Sequence, residues 1–184
     1  GVRTPEVAAA RARRAPLCGW RLEIVTRRIE GAADLDAIAA RVRGGTVDRR
    51  TAGRVAASFG RLVRAMHDAG CLHADLTTKN ALVLESSLAA ERPDTAILDL
   101  DRARIESAPS LEARTENLAR LLRYVRKAAR TSGPAFTATD AARFLAAYEP
   151  ARERRRAYAR AIVRAEARGR AHHGVGRALE RLFR

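Results

Sequence analysis

Aromatic residues make up only 4% of this 184-residue chain, so any core must be assembled mainly from Leu, Val, Ile and Ala. Lysine is nearly absent: Lys79 and Lys127 are the only two, and arginine carries the rest of the positive charge. Cysteine is confined to Cys18 and Cys71, with no CxxC pair and no histidine at metal spacing. That excludes a disulfide scaffold and a zinc site, and predicts two reduced thiols. His172-His173 is an isolated pair in an Arg-rich tail, too little for a metal site. No apolar run approaches eighteen residues, which excludes a membrane-spanning helix. The opening Gly1-Val-Arg-Thr-Pro5 has neither an apolar signal region nor an initiator Met, so an incomplete or processed N-terminus is expected. The length suffices for one hydrophobic core and is short for two full domains.

What the chain does have is charge of one sign. A formal net charge of +15 predicts attraction to polyanions: phosphorylated glycolipids, anionic membrane surfaces or nucleic acid. A solvated helix face is the plainer expectation for any single arginine.

Periodicity gives the order of elements. Val7 to Arg11 and Arg21 to Thr26 read as a hairpin around Pro16 and Gly19, with Trp20, Leu22, Ile24 and Val25 as its apolar content. Asp34 to Val42 reads as a short helix. Val55, Phe59, Leu62, Val63 and Met66 then recur at helical spacing, with Asp48 or Thr51 as N-cap and Gly70 as the terminating glycine. After a polar loop come two short apolar strands and an all-helical remainder. Leu111 to Arg130 carries Leu118, Leu121, Leu122 and Val125. A helix starting at Thr137 or Thr139 stops at Pro150, and the tail sets Tyr158, Ile162 and Val163 on one side. The pattern is α+β and mainly α, without alternating βαβ units.

The chemistry concentrates in His73-Ala-Asp75-Leu-Thr-Thr-Lys-Asn80 and Asp99-Leu-Asp101. The first segment puts a carboxylate and a carboxamide five residues apart in a polar turn. The strand Ala81 to Leu84 follows at once, and Ala96 to Leu98 delivers Asp99. Phosphoryl transfer asks mostly for positioning and charge neutralisation, so a few groups suffice. Asp75 would orient the acceptor hydroxyl and take its proton. Asn80 and Asp99 are hard oxygen ligands suited to magnesium on ATP phosphates, and Lys79 could neutralise a phosphate oxygen. His73 is expected to pack and hydrogen-bond rather than react.

These two segments, with Ile97-Leu-Asp99-Leu-Asp101-Arg102, resemble the lipopolysaccharide kinase family, above all its members acting on 3-deoxy-D-manno-octulosonic acid (Kdo). Gly1 to Pro5 is similar to the family's segment before a central N-lobe strand, and Ile24 to Leu35 to its strand and hinge. The resemblance covers roughly residues 1 to 124. It implies a protein-kinase-like fold that uses ATP and Mg2+ to phosphorylate a Kdo or heptose hydroxyl of the lipopolysaccharide core. In that fold residues 1–30 are a remnant of the N-lobe sheet and hinge. Residues 31–184 form a helical C-lobe with catalytic loop 73–80 and metal-binding segment 97–102. The resemblance makes Asp75 the catalytic base with Lys79 beside it, Asn80 and Asp99 metal ligands, and Thr26, Arg27, Arg28 and Ile29 the nucleotide-binding stretch. Asp101, where ordinary protein kinases have Gly, is a third ligand or a brace paired with Arg102 or Arg104. The implied partner is a lipopolysaccharide precursor or other anionic glycolipid, met in the cytoplasm or peripherally at the inner face of the inner membrane. Nucleic acid is disfavoured, because no recognition motif or aromatic platform is present.

The chain departs from the family's pattern at the ATP clamp. Neither lysine stands on a third strand, and Gly44-Gly45 follows the hinge-like segment, so no glycine-rich turn covers the phosphates. The chain is therefore expected to begin partway through the N-lobe. Two other readings stay open: another kinase-like phosphotransferase, of atypical protein kinase or aminoglycoside type, and a pseudokinase or basic adaptor.

Overall fold

The computed structural model describes residues 2–15 and 18–182, with side chains through Gly169. Gly1 and the side chains of His172 and His173 lie outside the described residues.

The hairpin forms as β1 (Val7–Arg14) and β2 (Trp20–Thr26), antiparallel, with a register shift between Val7 and Ala9. Its apolar side chains are not buried: Val7, Trp20, Leu22, Ile24 and Val25 are all more than half exposed. A two-stranded ribbon has no second layer to bury them against. Arg14 covers the Trp20 ring at 5.9 Å.

β3 (Ala32–Asp34), which the sequence pattern hid, leads into α1 (Leu35–Arg43), whose first turn is capped by the Asp34 carboxylate accepting from the Ala37 N–H at 2.7 Å. Asp48, not Thr51, caps α2 (Arg49–Asp68), accepting from the Thr51 N–H at 2.7 Å. The predicted stripe of α2 is the centre of the core: Val55, Phe59, Leu62, Val63 and Met66 are buried against Leu118, Leu121 and Tyr148. Helix α3 (Leu111–Ser132) lies along α5 (Arg152–Leu182), while α2 packs closely on α4 (Ala138–Tyr148). At the α2–α4 crossing a Cβ on Gly60 would fall 2.3 Å from the Phe144 carbonyl oxygen, so only glycine lets the two backbones meet. Thr137 starts α4 through a reciprocal capping box with Asp140.

On α5 the inward row is Tyr158, Ile162 and Ala165, at i, i+4 and i+7, with Tyr158 and Ala165 buried and Ile162 half-buried. Val163 is half exposed, which corrects its expected place on the apolar side. Several arginines are also more than a solvated face. Buried Asp140 holds Arg49 and Arg143, buried Glu149 holds Arg64 and Arg154, and buried Glu166 holds Arg126. A buried carboxylate stays charged only with such partners.

β5 (Ala81–Leu84) is the centre of a three-stranded antiparallel sheet, between β3 and β6 (Thr95–Ile97). Residues 2 and 3 run beside β6: the Ile97 N–H donates to the Arg3 carbonyl at 3.0 Å and Val2 packs on the core. A second ladder pairs β4 (Cys71–Leu72) with β7 (Arg104–Ile105). Gly70, with φ 82, turns the chain from α2 into this ladder, and a Cβ there would lie 2.1 Å from the Glu106 carbonyl oxygen. Cys18 and Cys71 are free thiols.

Within the core, His67 of α2 is fully buried between the Tyr148 hydroxyl and Asn117. Burial pushes its pKa down to about 4, with the Asn117 hydrogen bond opposing. From pH 6.5 down to about 4 the unfolded imidazole takes up a proton that the folded one refuses. The unfolded state then holds more protons, so stability falls with pH across that window. Urea titrations should show His67 alone costing about 2 kcal/mol between pH 7 and pH 5. A His67→Gln variant should lose that much less; equal slopes for the two proteins would refute the assignment.

Candidate active site

The two ladders explain why the motifs meet. The loop 73–80 runs from β4 to β5, and the loop 98–103 runs from β6 to β7. Because β5–β6 and β4–β7 are each paired antiparallel, both loops are pinned at both ends and face one another. The β4–β7 pair was invisible in the sequence, since two-residue strands carry no period.

His73 joins the loops. It is 1% exposed, and its Nε2 lies 2.8 Å from the Leu98 carbonyl oxygen. Its Nδ1 accepts from the Asp75 N–H at 3.0 Å. An amide can only donate, so Nδ1 is the acceptor and Nε2–H donates to Leu98, giving the neutral imidazole. This is the packing and hydrogen-bonding role expected of His73. A second link is the Leu98 N–H donating to the Asn80 carbonyl at 2.8 Å.

Asn80 closes the first loop on itself: its Nδ2 donates to the Asp75 carbonyl at 2.9 Å. That orients the side chain and leaves Oδ1 for an incoming cation. Below it the Thr78 hydroxyl donates to Asp36 of α1, which also accepts from the Tyr124 hydroxyl at 2.6 Å. Burial foremost, with the Asp36 hydrogen bond, pushes the Tyr124 pKa up to about 12. Asp36 and Tyr124 thus brace the 3-10 turn Thr78–Asn80 from α1 and α3, and neither stood out in the sequence.

Asp99 has φ 60, the sole non-glycine positive φ among the described residues. Aspartate tolerates this left-handed conformation better than most residues. Its carboxyl is raised above the usual carboxylate range, first by a hydrogen bond with Asp101, then by burial and the Asp101 charge, with Asp75 adding a smaller push. Asp101 therefore faces Asp99. Arg104 pairs instead with Glu106 at 2.5 Å, which corrects the expected Asp101–Arg104 brace.

The arrangement suits a magnesium ion. Asp99 and Asp101, in contact with each other, and the oriented Asn80 carboxamide on the facing loop are hard-oxygen donors that could hold such an ion. No cluster of three or more His, Cys, Asp or Glu side chains suited to a metal occurs among the described residues. A cation here would need further oxygens from its ligand, as it does when shared with a polyphosphate. Asp75 and Lys79 are exposed at the rim.

Thr26, Arg27 and Arg28 are exposed and Ile29 half-buried in the segment leading from the end of β2 to β3. Arg27 pairs with Glu6 at 3.2 Å and Arg28 with Glu30 at 3.8 Å. The segment enters the sheet at Ala32, opposite Leu84, the far end of β5 from Asn80.

The chain is 30% identical over 149 residues to the 3-deoxy-D-manno-octulosonic acid kinase of Actinobacillus succinogenes, covering 81% of this chain and 57% of that protein. It thus spans little more than half the length of that curated relative. Its fold matches WaaP, solved in complex with acyl carrier protein, with a TM-score of 0.75 and 24% identity over 93% of this chain and 70% of WaaP. Residues 1–148 match the sequence profile of one family, and by that match the chain belongs to the lipopolysaccharide kinase (Kdo/WaaP) family.

Proposed function

We propose that this protein transfers the γ-phosphoryl group of ATP to a sugar hydroxyl, Kdo or heptose, of the lipopolysaccharide core. The observation that carries the reading is His73: one buried imidazole holds the Asp75 loop and the Asp99 loop in a single geometry. A catalytic carboxylate and a metal-binding carboxylate need that fixed relation, and an adaptor surface does not.

In this reading Asp75 accepts the acceptor hydroxyl's proton and aims its oxygen, and Lys79 lies against a phosphate oxygen. Asn80, Asp99 and Asp101 would hold Mg2+, which supplies charge neutralisation on the transferring phosphate. Thr26 to Ile29 would form the nucleotide-binding stretch, with residues 1–30 as the end of an N-lobe and 31–184 as the C-lobe. Exposed Arg120, Lys127 and Arg130 on α3 and Arg152, Arg156, Arg160 and Arg164 on α5 would favour peripheral contact with an anionic membrane carrying the glycolipid. Among the described residues no helix is long and apolar enough to cross a membrane.

The test is label transfer from γ-labelled ATP by the intact native protein, with a Kdo-bearing lipid A precursor presented in anionic vesicles. Label should appear on the sugar and decline as salt rises. Label on a protein or an aminoglycoside acceptor instead would assign another phosphotransferase class. Nucleotide binding without transfer to any acceptor would make the protein a pseudokinase.

A further inference from the structure

Where the end of α2, the start of α3 and the junction of α4 with α5 meet, the surface opens into a cavity of about 310 Å3. Small-molecule sites run from about 300 to 1,000 Å3, so the space is enough for a small ligand. Helical spacing gathers its charges. Arg64 and Asp68 stand one turn apart on α2, Arg114 is in the first turn of α3, and Arg154 is in the first turn of α5. None of Asp75, Lys79, Asn80, Asp99 and Asp101 lines it.

Two carboxylates hold the three guanidiniums in place. Asp68 accepts from Arg64 Nε at 2.5 Å through one oxygen and from Arg114 Nη1 at 2.7 Å through the other. Glu149, 2% exposed, meets Arg64 at 3.3 Å and Arg154 at 3.1 Å, again through different oxygens. Arg64 also donates to the Tyr148 carbonyl at 2.9 Å and Arg114 to the Pro109 carbonyl at 3.2 Å, which fixes both planes. Every carboxylate oxygen is thereby engaged, whereas Arg154 meets Glu149 through Nη2 alone and keeps its other donors for a ligand.

Three guanidiniums against two carboxylates leave a surplus positive charge at the cavity, which an anion would balance. Guanidiniums that reach in from three helices suit a tetrahedral oxyanion, whose terminal oxygens point in several directions. A carboxylate offers two oxygens in one plane and meets them less well. The rest of the wall is apolar, formed by half-exposed Leu111, Ala157 and the ring of Tyr158.

We infer that this cavity binds a phosphate monoester, with the phosphate on Arg64, Arg114 and Arg154 and the adjoining apolar part of the ligand on Leu111 and Ala157. The site is separate from the Asp75 and Asp99 loops, and its binding does not depend on phosphoryl transfer. A free phosphate ester and the headgroup of phosphatidic acid present the same group.

The experiment titrates the intact protein with hexyl phosphate by calorimetry, and measures its sedimentation with phosphatidylcholine vesicles with and without phosphatidic acid. Arg154→Ala removes the ligand-facing guanidinium and leaves Glu149 paired with Arg64 and the Ala151 N–H. Ala157→Glu sets a carboxylate on the exposed rim and takes away no polar contact. Arg50→Ala controls for net charge, since Arg50 is exposed and about 21 Å along α2 from Arg64. We expect one site per chain, weakened about tenfold or more by Arg154→Ala and by Ala157→Glu and less than about twofold by Arg50→Ala. If Arg154→Ala does not fold, Ala157→Glu carries the test. Hexyl phosphate binding lost in the cavity variants alone would support the inference with a soluble ester as ligand. Binding only to phosphatidic acid vesicles, lost in the same variants, would support it with the lipid headgroup as ligand. Equal weakening by Arg50→Ala, wild-type affinity in the cavity variants, or no binding of either probe would overturn it.

Discussion

Asp75→Asn in the intact protein should lower phosphoryl transfer by about 10³-fold while ATP affinity stays within about threefold. The reason is how the structure divides the residue. Its N–H is taken by His73 Nδ1 and its carbonyl by Asn80 Nδ2, so the main chain holds the loop. The carboxylate is exposed at the rim and holds up no fold element. Replacing it by an amide of the same shape leaves both main-chain contacts in place and removes only the ability to accept a proton. Thermal stability should therefore be unchanged, and kcat should fall without a matching rise in KM for the nucleotide. A kcat within tenfold of wild type would remove Asp75 from the role of base. A loss of ATP affinity equal to the loss in rate would instead make it part of the nucleotide site.

The contrast between Asp75 and its supports marks what the sequence could and could not disclose. Asp75, Asn80 and Asp99 stood out because they sit beside short apolar strands at fixed offsets, a local pattern. The α2 stripe was legible for the same reason: 3.6-residue periodicity over twenty residues is a strong signal, and its apolar positions are the buried ones. His67 falls four residues after Val63 on that stripe, so a polar residue in an apolar row was the available hint. Asn117 and Asp36 gave none. Their partners lie 44 and 42 residues away in the chain, and a side chain that acts on a distant loop leaves no mark on its own neighbours. The ladder of Cys71–Leu72 with Arg104–Ile105 was hidden in the same manner, because it is tertiary pairing of strands too short to declare themselves. The hairpin illustrates the opposite failure. Its alternation was real, yet burial depends on a second layer, and strand pattern alone does not say whether one is present.

Asp99 should prove harder to replace than Asp75, because it combines a charge with an unusual backbone. At φ 60 an alanine lacks the short polar side chain that helps aspartate and asparagine occupy this region, so Asp99→Ala should cost about 1 kcal/mol of stability. Removing the carboxylate also relieves its confrontation with Asp101 and Asp75, which works in the other direction. Asp99→Asn separates these effects, since asparagine tolerates the left-handed conformation and lacks the charge. Both variants should weaken Mg2+-dependent ATP binding by about 10- to 100-fold and raise the Mg2+ concentration at half-saturation, while binding measured without divalent cations stays near wild type. Nucleotide titrations at fixed and varied Mg2+ read this directly, and thermal melts read the backbone cost. If Asp99→Asn kept the wild-type Mg2+ dependence, the carboxylate would not be a metal ligand, and its opposition to Asp101 would need another cause. If only Asp99→Ala lost affinity, the strained backbone rather than the charge would be what the site requires. The predicted pattern, equal loss of Mg2+-dependent binding in both variants and loss of stability in the alanine alone, follows from the site's main tension: acidic side chains forced together on a turn that few residues can form.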